Sequence, residues 1–214
     1  MIKFENTETC GIRHAIRGMR NAMNSWDKSD SYIDERYNTV HIGENDKSLM
    51  QRLFNAGTDH RKYLRMITVY ADITAPLYWW KEYDTYKVGT TANSCSTMHK
   101  IHAKKFTLSD FSREHLTTRA YDILLRNINF LNECRNLYIN YETDDNDGFP
   151  KPTKKEVWWQ MIQLLPTSYN QKRTVMLNYE VLANIYKSRQ GHKLKEWHDF
   201  IEWIERLPYT DIFK

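Results

Sequence analysis

The chain has 214 residues, of which 41% are hydrophobic, and its formal net charge is +4. This length predicts one compact domain spanning residues 1–214. The small positive excess is spread among interspersed Lys, Arg, Asp and Glu, which argues against a dedicated nucleic-acid binder with one concentrated basic face. The seven Gly and five Pro are too few for a many-turned β-sandwich.

Cysteine usage and hydropathy bear on the compartment. Cys10, Cys95 and Cys134 are scattered and form no CxxC pair. The first eleven residues lack the apolar core of a signal peptide, and no stretch approaches the ~18 apolar residues that span a bilayer. These features predict free thiols in a soluble, cytoplasmic protein with no membrane partner.

The first half of the chain alternates helix, connection and strand patterns. Apolar residues recur at helical spacing over 9–25, which predicts a first helix. A polar connection at 25–38 follows, and then a short helix at 46–57. Residues 65–73 alternate and are rich in β-branched and aromatic side chains, so they predict a strand. Pro76 marks the start of a helix that continues through "APLYWWKEYDTYK".

The second half is dominated by helix patterns. An amphipathic repeat predicts a long helix over 116–138. Residues 142–153 hold four acids, one Gly and two Pro, and their spacing lacks the closing Glu of an EF-hand, so this break is interpreted as a solvated loop. Three further helices are predicted near 154–165, 173–189 and 193–206. The expected fold class is α+β, rich in helix and with a small sheet.

The sequence contains no recognisable catalytic or metal-binding motif. The chain contains no P-loop, GxGxxG or HExxH motif, and Ser94, Cys95 and Ser96 lack a GxSxG elbow. His99 and His102 are three residues apart, but no further ligand pattern accompanies them. They are interpreted as surface or hydrogen-bonding histidines, and no metal site is predicted.

A run of small polar residues follows the aromatic segment. Between Gly89 and Met98 lie three Thr, two Ser, one Asn and one Cys, without a charge. One interpretation is a helix end followed by a packed polar turn. The other is a ligand cradle, because small hydroxyls and backbone N–H groups can approach a planar ligand closely while aromatic neighbours exclude water.

The order of these segments resembles the core of flavin-dependent thymidylate synthases. In that family a strand ends in Ala-Pro, a helix carries an aromatic residue, Arg-Gln and then RHR, and a loop of the form SxNExSxRY follows. The matching residues are Ala75 and Pro76 for the pair, Trp80 for the aromatic residue, Lys81 and Glu82 for Arg-Gln, and Thr91, Asn93 and Ser96 for the first Ser, the Asn and the second Ser of the loop.

The C-terminal part carries further matches. Residues 164–197 resemble the family's LP-containing turn, its Asn-rich helix, and an arginine followed closely by a histidine and a glutamate, with one residue missing from the last spacing. The ending "LPYTDIF" fits the family's tail, and "NAGTDHRKYL" resembles its Gly-His segment. The resemblance runs from about residue 12 to the end. The matched residues are His60, Leu165, Pro166, Asn178, Leu182, Asn184, Arg189, His192 and Glu196.

The chain also departs from the family pattern. The RHR triplet is absent, which leaves Lys87 as the cation there, and Ser94 replaces the loop glutamate. Met98, Ile162 and Glu180 stand where the family has arginines that hold the nucleotide phosphate and the flavin. Their loss weakens phosphate binding unless other cations compensate. The candidates for compensation are Lys81, Lys100, Lys172 and Arg173.

The resemblance implies a homotetramer in which FAD mediates transfer of a one-carbon unit from methylenetetrahydrofolate to C5 of a pyrimidine nucleotide, with NADPH as reductant and no protein nucleophile. It implies Ser96 as the catalytic residue that polarises the base. The implied FAD-binding residues are His60, Asn178, Asn184 and His192. The implied substrate-binding residues are Glu82, Lys87, Thr91, Asn93, Ser94 and Arg189.

Two other hypotheses remain open. Loss of RHR favours a flavin- or nucleotide-binding protein of the same fold without synthase activity. A nucleic-acid-associated helical protein ranks last, because "NQKR" and "KSRQGHK" are short and interleaved with core positions. Each residue also has a structural interpretation: Asn178 and Asn184 as polar surface, Arg189 as a cation at a helix C-terminus, and Cys95 as a packed thiol.

Overall fold

The computed structural model describes residues 2–37, 39–141 and 151–213. Most of the loop predicted at 142–153, namely residues 142–150, lies outside the described residues, so this loop stays a prediction. The helices are α1 (Ile12–Arg20), α2 (Glu44–Asn55), α3 (Leu77–Tyr83), α4 (Thr118–Ile139), α5 (Lys154–Gln163), α6 (Tyr179–Arg189) and α7 (Lys195–Arg206).

The strands form two sheets. A four-stranded antiparallel sheet has the order β1-β4-β6-β5, and β2 and β3 form a separate hairpin. Because helices make up 50% of the structure, the predicted helix-rich α+β class is confirmed. The strands are β1 (Lys3–Cys10), β2 (Tyr32–Asp34), β3 (Thr39–His41), β4 (Thr68–Pro76), β5 (Thr90–Ser94) and β6 (Asn170–Asn178).

The chain divides into two compact units. Unit A comprises Thr74–Glu82 and Ser94–Arg173, and unit B comprises Ile2–Ile73, Tyr83–Asn93 and the residues from Thr174 onward. The predicted single domain over 1–214 stays a prediction.

The core of unit A lies where α4 packs against α5. Leu124, Ile128 and Leu131 recur at helical spacing on α4 and pack with Val157 and Met161 of α5. Helix α5 begins at a capping box, in which Thr153 Oγ1 accepts from the Glu156 backbone N–H and the Glu156 carboxylate accepts from the Thr153 backbone N–H. These contacts confirm the predicted helices at 116–138 and 154–165. Ile162, at an arginine position of the resembled family, packs against this core.

The core of unit B is aromatic. Phe200 of α7 lies 5.7 Å from Trp197 and 5.2 Å from Trp203 between ring centroids, and Trp203 stacks on Phe4 of β1 at 4.9 Å. Trp203 Nε1 also donates to Thr7 Oγ1 at 3.1 Å. These long-range contacts stabilise β1, a strand that the polar segment "KFENTETC" does not predict. The helix expected over 9–25 is shorter than predicted, because α1 begins at Ile12 and ends at Arg20.

Three other expectations are corrected. The helix predicted at 173–189 is wrong over its first part, because 170–178 forms β6 and α6 begins at Tyr179. The helix expected after Pro76 ends at Tyr83. The polar connection at 25–38 contains β2, which pairs antiparallel with β3.

Candidate functional site

Arg189 in unit B lies in a clamp of two aromatic rings. Its Nε donates to the hydroxyl of Tyr86 at 2.8 Å. Its guanidinium carbon lies 4.7 Å from the ring centroid of Trp197 and 5.5 Å from that of Tyr86. A cation over an aromatic face is stabilised electrostatically, so these contacts hold a half-buried charge in one orientation. Arg189 also occupies the last turn of α6, where positive charge is favourable.

His192 lies beside this clamp. Its backbone N–H donates to the Arg189 carbonyl at 3.1 Å, and its ring lies 6.1 Å from that of Trp197. The backbone N–H of Leu194 donates to His192 Nδ1 at 3.1 Å. In the neutral imidazole this bond leaves the ring proton on Nε2, which makes that atom a donor. The structure thus brings together two predicted site residues, Arg189 and His192.

Tyr86 also lines a cleft of about 310 Å³. The cleft is lined by Tyr83, Asp84, Tyr86, Lys87, Thr90 and Ala92. Tyr86 therefore joins the predicted cation Lys87 to the Arg189 clamp, although the sequence analysis did not single it out. The available signal was an aromatic hydroxyl directly before the one cation that remains at the RHR position.

The first part of the hydroxyl-rich run after Gly89 is the edge strand β5, which ends at Ser94, and a turn follows at 97–99. Thr90 and Ala92 line the cleft. Successive side chains of a strand point to opposite faces, so the predicted substrate residues Thr91 and Asn93 project from the face opposite to the cleft. Both side chains are exposed.

Asn178 is the N-cap of α6. Its Oδ1 accepts from the Val181 backbone N–H at 3.0 Å, and its own backbone N–H donates to the Gly89 carbonyl at 3.2 Å. Gly89 has a φ of 79°, and a Cβ there would lie 2.4 Å from Asn178 Nδ2. The tight approach fixes the Asn178 amide beside the start of β5. The side-chain oxygen serves the helix cap, and the Nδ2 amino group remains as a donor.

Asn184 belongs to a separate cluster around an arginine that the sequence analysis missed. Arg61 lies 2.9 Å from the Glu180 carboxylate and donates to Asn184 Oδ1 at 3.2 Å. One carboxylate oxygen of Glu180 is buried and has no hydrogen-bond partner among the described residues. The neighbouring His60 is exposed, and its backbone N–H donates to the Gly57 carbonyl at 3.0 Å.

Trp80 in unit A is the centre of a second network. Its ring is 1% exposed, and its Nε1 donates to the Gln171 carbonyl at 3.0 Å. The Arg173 guanidinium lies 4.1 Å from its ring centroid and donates to Gln171 Oε1 at 3.0 Å. Gln171 Nε2 donates to the Cys95 carbonyl at 2.8 Å. Of the proposed compensating cations, Arg173 is thus stacked on the matched aromatic residue.

The other predicted residues of unit A are more open. Ser96 is exposed, and its Oγ accepts from the backbone N–H groups of His99 at 2.9 Å and Met98 at 3.3 Å, so it stabilises a turn. Ser94 is exposed and Glu82 is half-buried. Cys95 is an exposed free thiol, so the interpretation of a packed thiol is wrong.

The described residues form neither a metal-binding cluster nor a membrane-spanning helix. In residues 2–37, 39–141 and 151–213, no group of three or more His, Cys, Asp or Glu side chains is placed to hold a metal ion. Within the same ranges, no helix has the length and apolar character needed to cross a membrane.

Comparison with known proteins identifies the fold. No protein-family model matches the chain, and no curated protein matches it. The crystal structure of flavin-dependent thymidylate synthase ThyX from Helicobacter pylori complexed with FAD and dUMP aligns with a TM-score of 0.66 and 17% identity, over 99% of this chain and 98% of that one. The UMP/dUMP methylase PolB from Streptomyces cacaoi bound with 5-Br UMP aligns with a TM-score of 0.58 and 11% identity, over 96% of this chain and 87% of that one. The chain therefore has the fold of flavin-dependent thymidylate synthases, as its motif order indicated.

Proposed function

We propose that the chain binds a pyrimidine nucleotide beside a flavin and transfers a one-carbon unit to C5 of the base. The fold supports this proposal, because the two similar proteins that match nearly the whole chain are a thymidylate synthase complexed with FAD and dUMP and a UMP/dUMP methylase bound with 5-Br UMP. The observation that carries it to this chain is the Arg189 clamp, which presents a fixed cation beside His192.

The donors in unit B fit the rings of both ligands. Asn178 and Asn184 have their side-chain oxygens bound within the protein, by the Val181 N–H and by Arg61, and each keeps an Nδ2 donor. In its neutral form, His192 carries the ring proton on Nε2, because Nδ1 accepts from the Leu194 N–H. Flavin and uracil rings both present carbonyl oxygens, which accept such bonds. Asn178, Asn184 and His192, with His60, are therefore the residues that would hold FAD, and bound FAD would supply the redox chemistry of the transfer.

The nucleotide phosphate requires cations, and two predicted ones remain. Arg189 provides a guanidinium suited to phosphate oxygens, and Lys87 lines the cleft next to Tyr86. Ser96 remains the residue proposed to polarise the base. Hydrogen bonds to a desolvated ligand contribute more than those to water, so these groups orient the base without a covalent step. The other proposed substrate contacts are Glu82, Thr91, Asn93 and Ser94.

The direct experiment combines a spectrum with a turnover assay. Purified protein is examined for the absorbance bands of oxidised flavin, and released ligands are identified by mass spectrometry. The protein is then incubated with FAD, NADPH, methylenetetrahydrofolate and either dUMP or UMP, and the nucleotide is analysed for one added methyl group. Methylation of either nucleotide supports the proposal. Absence of both flavin binding and nucleotide binding contradicts it.

A matched pair of variants tests Ser96. Ser96→Ala removes the hydroxyl, whereas Ser96→Thr keeps it and its turn bonds to Met98 and His99. Because the turn is exposed, Ser96→Ala should lower the free energy of unfolding by no more than about 1 kcal/mol. If Ser96 polarises the base, turnover falls in Ser96→Ala and recovers in Ser96→Thr. Equal turnover in all three proteins removes Ser96 from the site.

A second function, binding without turnover, has one specific observation in its favour. Glu180 stands at an arginine position of the family and is neutralised by Arg61, which makes it part of an internal ion pair. This function predicts flavin or dUMP binding, seen as a ligand-induced rise in melting temperature, without methylated product. We also propose that the protein is a cytoplasmic homotetramer; light scattering that gives a monomer would remove the assembly proposal.

A further inference from the structure

A second cavity in unit B lies on the face of α1, apart from the residues of the proposed site. Its volume is about 240 Å³, and it is lined by residues of α1, of the segment 26–31 and of the β2–β3 hairpin. It is large enough for one small group, such as a phosphate or a single ring, and it opens beside exposed side chains.

The wall that α1 contributes is strongly basic. Arg13, Arg17 and Arg20 line the cavity at positions i, i+4 and i+7, which lie on one face of a helix. The helix sequence "IRHAIRGMR" contains no carboxylate, and the residues described as lining the cavity include none. Arg17 Nη2 donates to His14 Nδ1 at 3.5 Å, a long bond between two exposed side chains. Arg13 and Arg17 are both exposed and stand one helical turn apart on this wall.

Arg20 supplies an independent sign of a missing acceptor. Its side chain is 4% exposed, its Nε donates to Asp46 Oδ1 at 2.6 Å, and its Nη1 donates to the Ser25 carbonyl at 3.2 Å. Its Nη2 is buried and has no hydrogen-bond partner among the described residues. Asp46 Oδ2 already accepts from the Ser29 and Ser31 hydroxyls at 2.7 Å each. The buried cation therefore has a donor left over beside a cavity that it lines.

Two aromatic rings are held in place at the same cavity. Trp26 is 51% exposed, and its Nε1 donates to Asn21 Oδ1 at 2.8 Å. Tyr32 is 62% exposed and stacks on His41 with ring centroids 4.9 Å apart and an interplanar angle of 17°. Both rings keep large exposed surfaces although local contacts fix their orientation. Oriented exposed aromatics beside arginines are the arrangement that binds a planar base attached to a phosphate.

We propose that this cavity binds a small anionic ligand with a planar ring, of the nucleoside monophosphate class. The phosphate lies in the cavity beside Arg17 and Arg20, and the ring rests on Trp26 or Tyr32 at its mouth. The two parts follow from the lining, which combines guanidinium groups in the cavity with exposed aromatic rings at its mouth. This inference does not rest on the proposed function, because none of these residues belongs to that site.

The test uses three probes that separate the two parts of the ligand. Isothermal titration of the purified protein with AMP, adenosine and inorganic phosphate measures base plus phosphate, base alone and phosphate alone. AMP is expected to bind at least tenfold more tightly than either of the others. Arg17→Gln and Trp26→Ala should each weaken AMP binding at least fivefold, and Trp26→Phe should retain most of it because a ring remains.

The controls distinguish this cavity from other basic surfaces. Arg206→Gln changes an arginine that is 77% exposed on α7 and should leave AMP binding unchanged. The proposal is overturned if AMP does not bind, or if both Arg17→Gln and Trp26→Ala bind it as wild type does while their circular dichroism melts remain cooperative. It is also overturned if Arg189→Ala, rather than Arg17→Gln, abolishes AMP binding. Affinity that rises with oligonucleotide length would instead assign this face to single-stranded nucleic acid.

Discussion

The guanidinium of Arg61 lies 2.9 Å from the carboxylate of Glu180, and the two side chains are only 15% and 9% exposed. The residues are 119 positions apart in the chain. Arg61 also lies 4.9 Å from the ring centroid of Phe54 and donates to Asn184. A position where the resembled family carries an arginine has thus become an acid, and its charge is neutralised from the segment that resembles the family's Gly-His element.

Removing one member of this pair is expected to destabilise the fold. Arg61→Ala leaves Glu180 buried without its cation, and breaking a buried pair in this way costs about 3–5 kcal/mol. Urea denaturation of Arg61→Ala should therefore show a free energy of unfolding lower by about 3 kcal/mol or more. The double variant Arg61→Ala/Glu180→Ala should lose less than the sum of the two single variants, because it leaves no unpaired charge.

The surface pair Arg206–Glu202 is the matched control. These side chains are 77% and 62% exposed, so Arg206→Ala should change the free energy of unfolding by less than about 1 kcal/mol. Equal losses for Arg61→Ala and Arg206→Ala would show that the Arg61 pair is solvated in solution.

Arg189 is expected to affect ligand binding through its charge and its geometry separately. Arg189→Lys keeps the charge but replaces the planar guanidinium that donates to Tyr86 and lies over Trp197. The dUMP-induced rise in melting temperature should disappear in Arg189→Ala and be reduced in Arg189→Lys. Tyr86→Phe removes only the hydroxyl that accepts from Arg189, so it should resemble Arg189→Lys. Unchanged shifts in all three variants would remove the clamp from the nucleotide site.

The fold could be predicted from the order of motifs, but two elements could not be predicted from local pattern. Val175, Leu177 and Tyr179 are buried at a period of two, yet they run directly into helical positions such as Leu182 and Ile185. A helical period therefore fits the whole stretch, and only pairing with distant strands makes 170–178 a strand. The segment at 90–94 is polar on both faces, so no apolar alternation indicates an edge strand there.

Some residues of the candidate site could be predicted from the sequence, and others could not. Arg189 and His192 are close in sequence, so one motif match predicts that they lie together. The roles of Tyr86 and Arg61 could not be predicted from local sequence. Tyr86 lies 103 positions from its partner Arg189, and Arg61 lies 119 positions from its partner Glu180. Asn178 matched a family position, but its cap on α6 became visible only when the strand before it was placed.

Asp46 is expected to make stability depend on pH in the acid range. Burial alone would raise the pKa of Asp46, but hydrogen bonds from Ser31, Ser29 and Arg20 outweigh it and hold this pKa below its ordinary value. The ionised form thus contributes stability that is present above the unfolded pKa of about 3.9 and is lost as pH falls through the lower folded pKa.

The comparison with Asp46→Asn isolates this carboxylate from other acids. The wild type should be more stable than Asp46→Asn at neutral pH, and the difference should begin to shrink below about pH 4. Urea melts of both proteins at a series of pH values measure this difference. A difference that stays constant from neutral to acid pH would mean that Asp46 is not held ionised by its three partners.

Gly89 is expected to tolerate a side chain poorly, for two separable reasons. Its φ of 79° is strained for any L-residue, at about 1–2 kcal/mol. An added Cβ would also lie 2.4 Å from Asn178 Nδ2 and displace the side chain that caps α6, which costs about 1 kcal/mol more. Gly57 has a φ of 103° but nothing within 4 Å of the added Cβ, so Gly57→Ala reports strain alone. Gly191 has neither feature, so Gly191→Ala should be nearly neutral. The expected order of destabilisation in urea melts, from largest to smallest, is Gly89→Ala, then Gly57→Ala, then Gly191→Ala.

The same variants test the proposed flavin contact of Asn178. Gly89→Ala should weaken FAD binding, whereas Gly57→Ala should not. Equal FAD affinity in both variants would show that the position of the Asn178 amide does not matter for the cofactor.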